Sequence, residues 1–162
     1  MSEQTIASLE PRDRERHLLV AVDGSENSKR AVMYVADFFG SDRDVVVTVL
    51  SLIPEPSEDY FSTDGERDAW ITEKKTEMQK ILDGYKEILT DAGIAGDKVR
   101  ILLVVRQCES IGDAILEEQN RLRTDIVVVG RRGLSHNEEF IFGSTSNRIL
   151  HHAKNCAVMV VE

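Results

Sequence analysis

The chain has 162 residues, enough for one domain with a sizeable core and too short for two ordinary ones. Its 20 basic and 29 acidic side chains leave a net charge of −9, which argues against nucleic acid or an acidic membrane as partner. Two cysteines, Cys108 and Cys156, provide neither a disulfide framework nor zinc spacing, so a reducing compartment is the expected setting.

Residues 1–16 are polar and charge-mixed and read as a flexible N-terminal tail, with neither the apolar stretch nor the cleavage pattern of a signal peptide. From residue 17 to 162 a single domain is expected. His17 to Val22 is a short apolar run suited to a strand buried on both faces. Ser25 to Phe39 follows, with Ala31, Val32, Val35, Ala36 and Phe39 at helical spacing and Gly40 as a stop. Val45 to Leu52 predicts a second buried strand. Pro54, Pro56 and the acidic segment through Glu66 then read as a surface loop.

A long helix comes next, with Ile71, Met78, Ile81, Leu82, Tyr85 and Leu89 on one face and Gly93 and Gly96 at its end. Val99 to Val105 predicts a third strand, and Ile111, Ala114, Ile115 and Leu116 mark a helix. Ile126 to Val129 predicts a fourth strand, Ile149 and Leu150 belong to a last helix, and Ala157 to Val161 predicts a fifth strand. No run approaches membrane-spanning length, so a soluble, cytoplasmic protein is expected.

Buried-type strands alternating with helices imply an α/β protein, a parallel sheet covered on both faces by right-handed crossovers. Such sheets bind ligands beyond the carboxyl ends of their strands, where the strand order reverses. Two loops lie at such ends: Asp23-Gly24-Ser25 after the first strand and the segment from Gly130 after the fourth. They face one another only if those strands are neighbours, which periodicity does not decide.

The second loop carries the chemistry. Gly130, Gly133, nine further residues and then Gly143-Ser144-Thr145-Ser146 stand between a strand and a helix. Glycines admit close backbone approach, and a helix N-terminus with hydroxyl side chains offers donors to an anion. The bland alternative is a tight turn and a serine helix cap. The first turn lacks G-x-G-x-x-G and the chain lacks G-x-x-x-x-G-K-[ST], so dinucleotide and P-loop patterns are excluded.

VAVDGSENS after the first strand, VVVGRRG after the fourth and FGSTSNRILHHAKNCAVMVV at the end resemble the universal stress protein family. The G-2x-G-9x-G-[ST] pattern resembles its nucleotide-binding branch. The resemblance implies a three-layer, doubly wound five-stranded parallel sheet of order 3-2-1-4-5, of the adenine nucleotide alpha hydrolase-like type. It further implies an ATP site, with Mg²⁺ as a companion ion of the nucleotide. Carried over by position, Ala21, Leu52 and Val129 would line the adenine pocket, and Asp23 would accept hydrogen bonds from the ribose. Gly130, Gly133, Gly143, Ser144, Thr145 and Ser146 would hold the phosphates. For Ala21, Leu52 and Val129 ordinary core packing is the competing reading, and for Asp23 a capping role.

The chain departs from the family pattern at Ala21, where some binders have proline, at Ala157, where many members have it, and after the third strand, which lacks a frequent glycine. Arg131 and Arg132 could neutralise phosphate or point to solvent with equal weight. His151 and His152 are neighbours on a helix, about 100° apart, and cannot readily share one metal ion. Tyr60 and Phe61 read as a surface loop in preference to a cover for a base. Cys108 and Cys156 read as inert. An unbroken apolar strand from Ala157 to Val161 invites pairing with a second copy, and the resemblance implies a homodimer through it. The expected role is a regulatory stress-response module in which ATP stabilises the fold and orders the 134–142 loop for a partner to sense. No residue is assigned as catalytic. Slow Mg²⁺-dependent ATP hydrolysis or phosphoryl transfer is the rival enzymatic reading, weakened because no general base stands out. A dimer that binds no nucleotide is the third.

Overall fold

Valine, leucine and isoleucine fill most of the strand segments, and the three inner strands of the sheet are accordingly buried over most of their length, while the two outer ones are largely half-buried. A computed structural model of the chain describes residues 15–131 and 144–162. The described elements run β1 (Arg16–Ala21), α1 (Glu26–Phe39), β2 (Val45–Pro54), α2 (Asp64–Asp91), β3 (Val99–Arg106), α3 (Ile111–Leu122), β4 (Ile126–Gly130), α4 (Ser144–His152) and β5 (Ala157–Val161). Short 3₁₀ turns span Glu58–Tyr60 and Gly96–Lys98. The strands form one parallel sheet in the order β3-β2-β1-β4-β5, as expected. Of the tail expected over residues 1–16, residues 1–14 lie outside the described residues, and Arg16 opens β1.

The period-2 alternation of β1 separates two cores. Leu18, Val20 and Val22 pack with Val32 and Val35 of α1 and Leu82, Tyr85 and Leu89 of α2. Leu19 and Ala21 point the other way, to Ile115 and Leu116 of α3 and Ile149 of α4. Each fully buried leucine removes enough apolar surface from water to favour folding by roughly 1.5–3 kcal/mol. These layers fix the carboxyl ends of the strands as a rigid rim.

Two expectations are corrected. Asp64–Glu66, read as loop, form the first turn of α2. Thr63 accepts the Glu66 amide at 3.1 Å and Glu66 accepts the Ser62 amide at 3.0 Å, so the acidic residues cap a helix start. Pro54, also read as loop, ends β2, opposite Arg106 of β3. Gly40 does follow α1, but with right-handed backbone. Its lack of a side chain matters for packing: a Cβ there would stand 2.6 Å from the Ala92 carbonyl oxygen.

Candidate functional site

Strand β1 ends between β2 and β4, so the chain order reverses there and the rim opens. Past Ala21, the Val22 amide donates to the Leu50 carbonyl at 2.8 Å, closing the ladder with β2. The chain then turns at Gly24, whose φ of 81° is left-handed, and enters α1. Ser25 caps that helix by accepting the Ser28 amide at 3.2 Å.

A cleft of about 400 Å³ lies at this reversal. It falls in the size range of small-ligand sites, roughly 300–1,000 Å³. Ala21, Asp23, Leu52, Val129, Gly130, Ser144, Thr145 and Ser146 all line it, so the two loops face one another as the strand adjacency requires. Gly133 and Gly143, and the 134–142 loop between them, lie outside the described residues.

The cleft has an apolar wall and a polar rim. Ala21, Leu50, Leu52 and Val129 from the sheet meet Ile111 and Ile115 from α3. In a parallel ladder alternate residues direct their N–H and C=O to the same neighbour. Leu50 directs its carbonyl to the β1 side, while the Glu55 amide donates to Arg106 on the β3 side. Leu52 shares the parity of Leu50, so its N–H and C=O point to the side from which β1 has departed. The first turn of α4 also lines the cleft, with Ser144, Thr145 and Ser146 and the positive end of the helix dipole.

That turn is seated by α3. Arg148 donates to both carboxylate oxygens of Asp113, Nε to Oδ1 at 2.8 Å and Nη2 to Oδ2 at 2.9 Å. Beside the pair, Gly112 lets α4 come close: a Cβ there would stand 2.8 Å from the Cβ of Arg148 and 3.2 Å from the Thr145 carbonyl oxygen.

Asp23 is the one ionisable side chain among the described residues lining the cleft. Partial burial opposes its charge, but hydrogen bonds from Ser25 and Ser28 outweigh that and hold its carboxyl below the usual carboxylate range. Val22, Ser25, Asn27, Ser28, Leu50, Ile111 and Ile115 also line the cleft and were not among the site residues expected from the sequence. Ser25, Asn27 and Ser28 stand inside the quoted VAVDGSENS segment, so that signal was present. The isoleucines read only as helix core.

The remaining candidates lie elsewhere. Arg131 donates from Nη1 to Glu162 Oε1 at 2.8 Å, and its amide bonds the Val161 carbonyl, so it engages the end of β5. Arg132 is outside the described residues. His151 and His152 are exposed on the last turn of α4, and no group of three metal-ligating side chains occurs among the described residues. Tyr60 is exposed, Phe61 leans on Trp70 at 5.9 Å between ring centroids, and neither lines the cleft. Cys108 and Cys156 are free and half-buried, and burial pushes the Cys156 thiol up.

A parallel sheet of order 3-2-1-4-5 with a cleft at its reversal defines a doubly wound α/β protein with an open switch point. The chain belongs to the universal stress protein family, whose model matches residues 15–162. It is 30% identical over 149 residues to a putative universal stress protein of Staphylococcus haemolyticus, covering 90% of this chain and 84% of that one. A solved universal stress protein of Lactobacillus plantarum matches with a TM-score of 0.74 at 15% identity, over 93% of this chain and all of the other. The Archaeoglobus fulgidus universal stress protein in complex with dAMP matches with a TM-score of 0.65 at 21% identity, over 93% and 100% of the two chains. A universal stress protein in complex with cAMP matches at 0.67 and 19%, over 93% and 98%. Among the described residues no helix is long and apolar enough to cross a membrane.

Proposed function

We propose that the switch-point cleft binds an adenine nucleotide, ATP in the first instance, and that the protein acts as a cytoplasmic regulatory stress-response module. The observation that carries this reading is the convergence of Ala21, Asp23, Leu52 and Val129 with the first turn of α4 around one cleft. A purine fits the apolar wall, and the outward-facing N–H and C=O of Leu52 supply a donor and an acceptor for its edge. Asp23 accepts from the ribose. Gly130 and Ser144 to Ser146, with Gly133 and Gly143 of the same motif, take the phosphates. Relatives of the same fold that are described in complex with cAMP and dAMP support the adenine assignment.

Any Mg²⁺ enters with the nucleotide, on its phosphates. Two copies pair through β5, which is terminal in the sheet order and carries half-buried Val158, Met159 and Val160. The test is to denature the purified protein and identify any released nucleotide, then to record thermal unfolding with and without ATP. A bound adenine nucleotide, or a midpoint raised by ATP, is expected. An empty protein whose midpoint ignores millimolar ATP contradicts the reading.

A further inference from the structure

We propose that Ser28 is a positioning residue whose hydroxyl engages Oδ1 of Asp23 and leaves Oδ2 as the carboxylate oxygen presented to a hydroxyl-bearing ligand in the cleft. The inference rests on the nucleotide reading for the identity of that ligand, but its geometry stands apart from it.

Ser28 lies in the first turn of α1, 5% exposed. A hydroxyl has one proton to donate and two lone pairs to accept with. At Ser28 all three are used. Oγ accepts the Asp23 amide at 2.9 Å and is within 3.3 Å of the Ser25 hydroxyl, which donates to it. Its own proton is thereby directed to Asp23 Oδ1, at 2.6 Å, a short charge-assisted bond. Oδ1 also accepts the Ser25 amide at 3.0 Å. Two donors converge on Oδ1, and among the described residues none makes a hydrogen bond to Oδ2, so the carboxylate is fixed with one oxygen committed to the fold. The amide of Ser28 is itself capped by Ser25, so the whole arrangement is built into the first turn of α1.

A carboxylate free to rotate would offer a ligand hydroxyl two equivalent oxygens and lose rotational entropy on binding. One already held offers a single acceptor in a set direction. Burial, then the charges of Asp23 and Glu26, raise the pKa of the Tyr85 hydroxyl of α2, which stays neutral near Asp23.

The test compares wild type, Ser28→Ala, Asp23→Ala and the double variant by calorimetric titration with ATP. It also follows the Asp23 carboxyl by NMR through acid in the ligand-free chain, for wild type, Ser28→Ala and the near-isosteric Ser28→Cys. Ser28→Ala is expected to weaken ATP binding about tenfold in the wild-type background and less than about twofold when Asp23 is already alanine. The Asp23 titration midpoint is expected to rise by about one pH unit in both Ser28 variants. Unchanged ATP affinity in Ser28→Ala, an equal loss without Asp23, or an unmoved Asp23 midpoint would each overturn the proposal. If wild type takes up no ATP, the nucleotide reading falls by itself and the carboxyl titration alone decides the role of Ser28.

Discussion

The main-chain carbonyl oxygen of Asn27 stands 2.6 Å from where a Cβ on Gly130 would be. The first turn of α1 thus rests directly on the end of β4, and the glycine is what lets them meet. Gly130→Ala is expected to push these elements apart at a cost of about 1–3 kcal/mol. For a chain of this length the unfolding midpoint should fall by roughly 2–4 °C per kcal/mol. Calorimetric melting of the variant checks this, and an unchanged midpoint would mean that the contact relaxes freely.

A similar contact holds α4, and here magnitudes separate two contributions. The Asp113–Arg148 pair is bidentate but solvent-screened, so its removal by Asp113→Ala should cost little stability. Gly112→Ala drives a methyl into Arg148 and towards the Thr145 carbonyl and should cost more, about 1–3 kcal/mol. Urea unfolding of both variants gives the order. A larger loss for Asp113→Ala would mean that the ion pair, not the close approach, seats the helix.

His17 sets a pH dependence away from the cleft. Burial, then the nearby Arg100 charge, lower its pKa from the ordinary 6.5, partly offset by Asp125, while its Nε2 lies 2.7 Å from the Thr48 hydroxyl. The folded chain therefore holds fewer protons at this site than the unfolded one. Stability is expected to fall as pH drops below about 6.5 and to level off below the folded pKa. Melting midpoints of wild type and His17→Gln across pH 7 to 5 check this: the variant should show the shallower slope.

The base wall yields a different kind of expectation. If the main chain of Leu52 reads the purine edge, its side chain contributes only contact area. Leu52→Ala should weaken AMP binding about fivefold, roughly 1 kcal/mol, while the ratio of AMP to GMP affinity stays as in wild type. A collapse of that ratio would show that the side chain, not the backbone, discriminates the base.

Much of this was legible in the chain because the signals are local. The β-branched runs mark the strands, Ser25 caps α1, and the hydroxyl residues Ser144 to Ser146 mark the turn that lines the cleft. The start of α2 was not, because Asp64 to Glu66 look like loop until Thr63 and Glu66 are seen to cap them. Nor does any local pattern pair β1 with β4, although the facing of Asp23 and α4 depends on it; only the resemblance supplied that order. Ile111 and Ile115 have ordinary helical spacing, and tertiary packing alone turns them towards the cleft. Gly130 was read as a phosphate cradle, and its contact with Asn27 adds a packing demand that spacing cannot reveal.

The most direct measurement is calorimetric titration of the nucleotide-free wild-type chain with ATP. Saturable binding of one nucleotide per chain, weakened by Asp23→Ala, is the result expected of a switch-point adenine site. The absence of any binding heat up to millimolar ATP at two temperatures, with no shift in the melting midpoint, would contradict it.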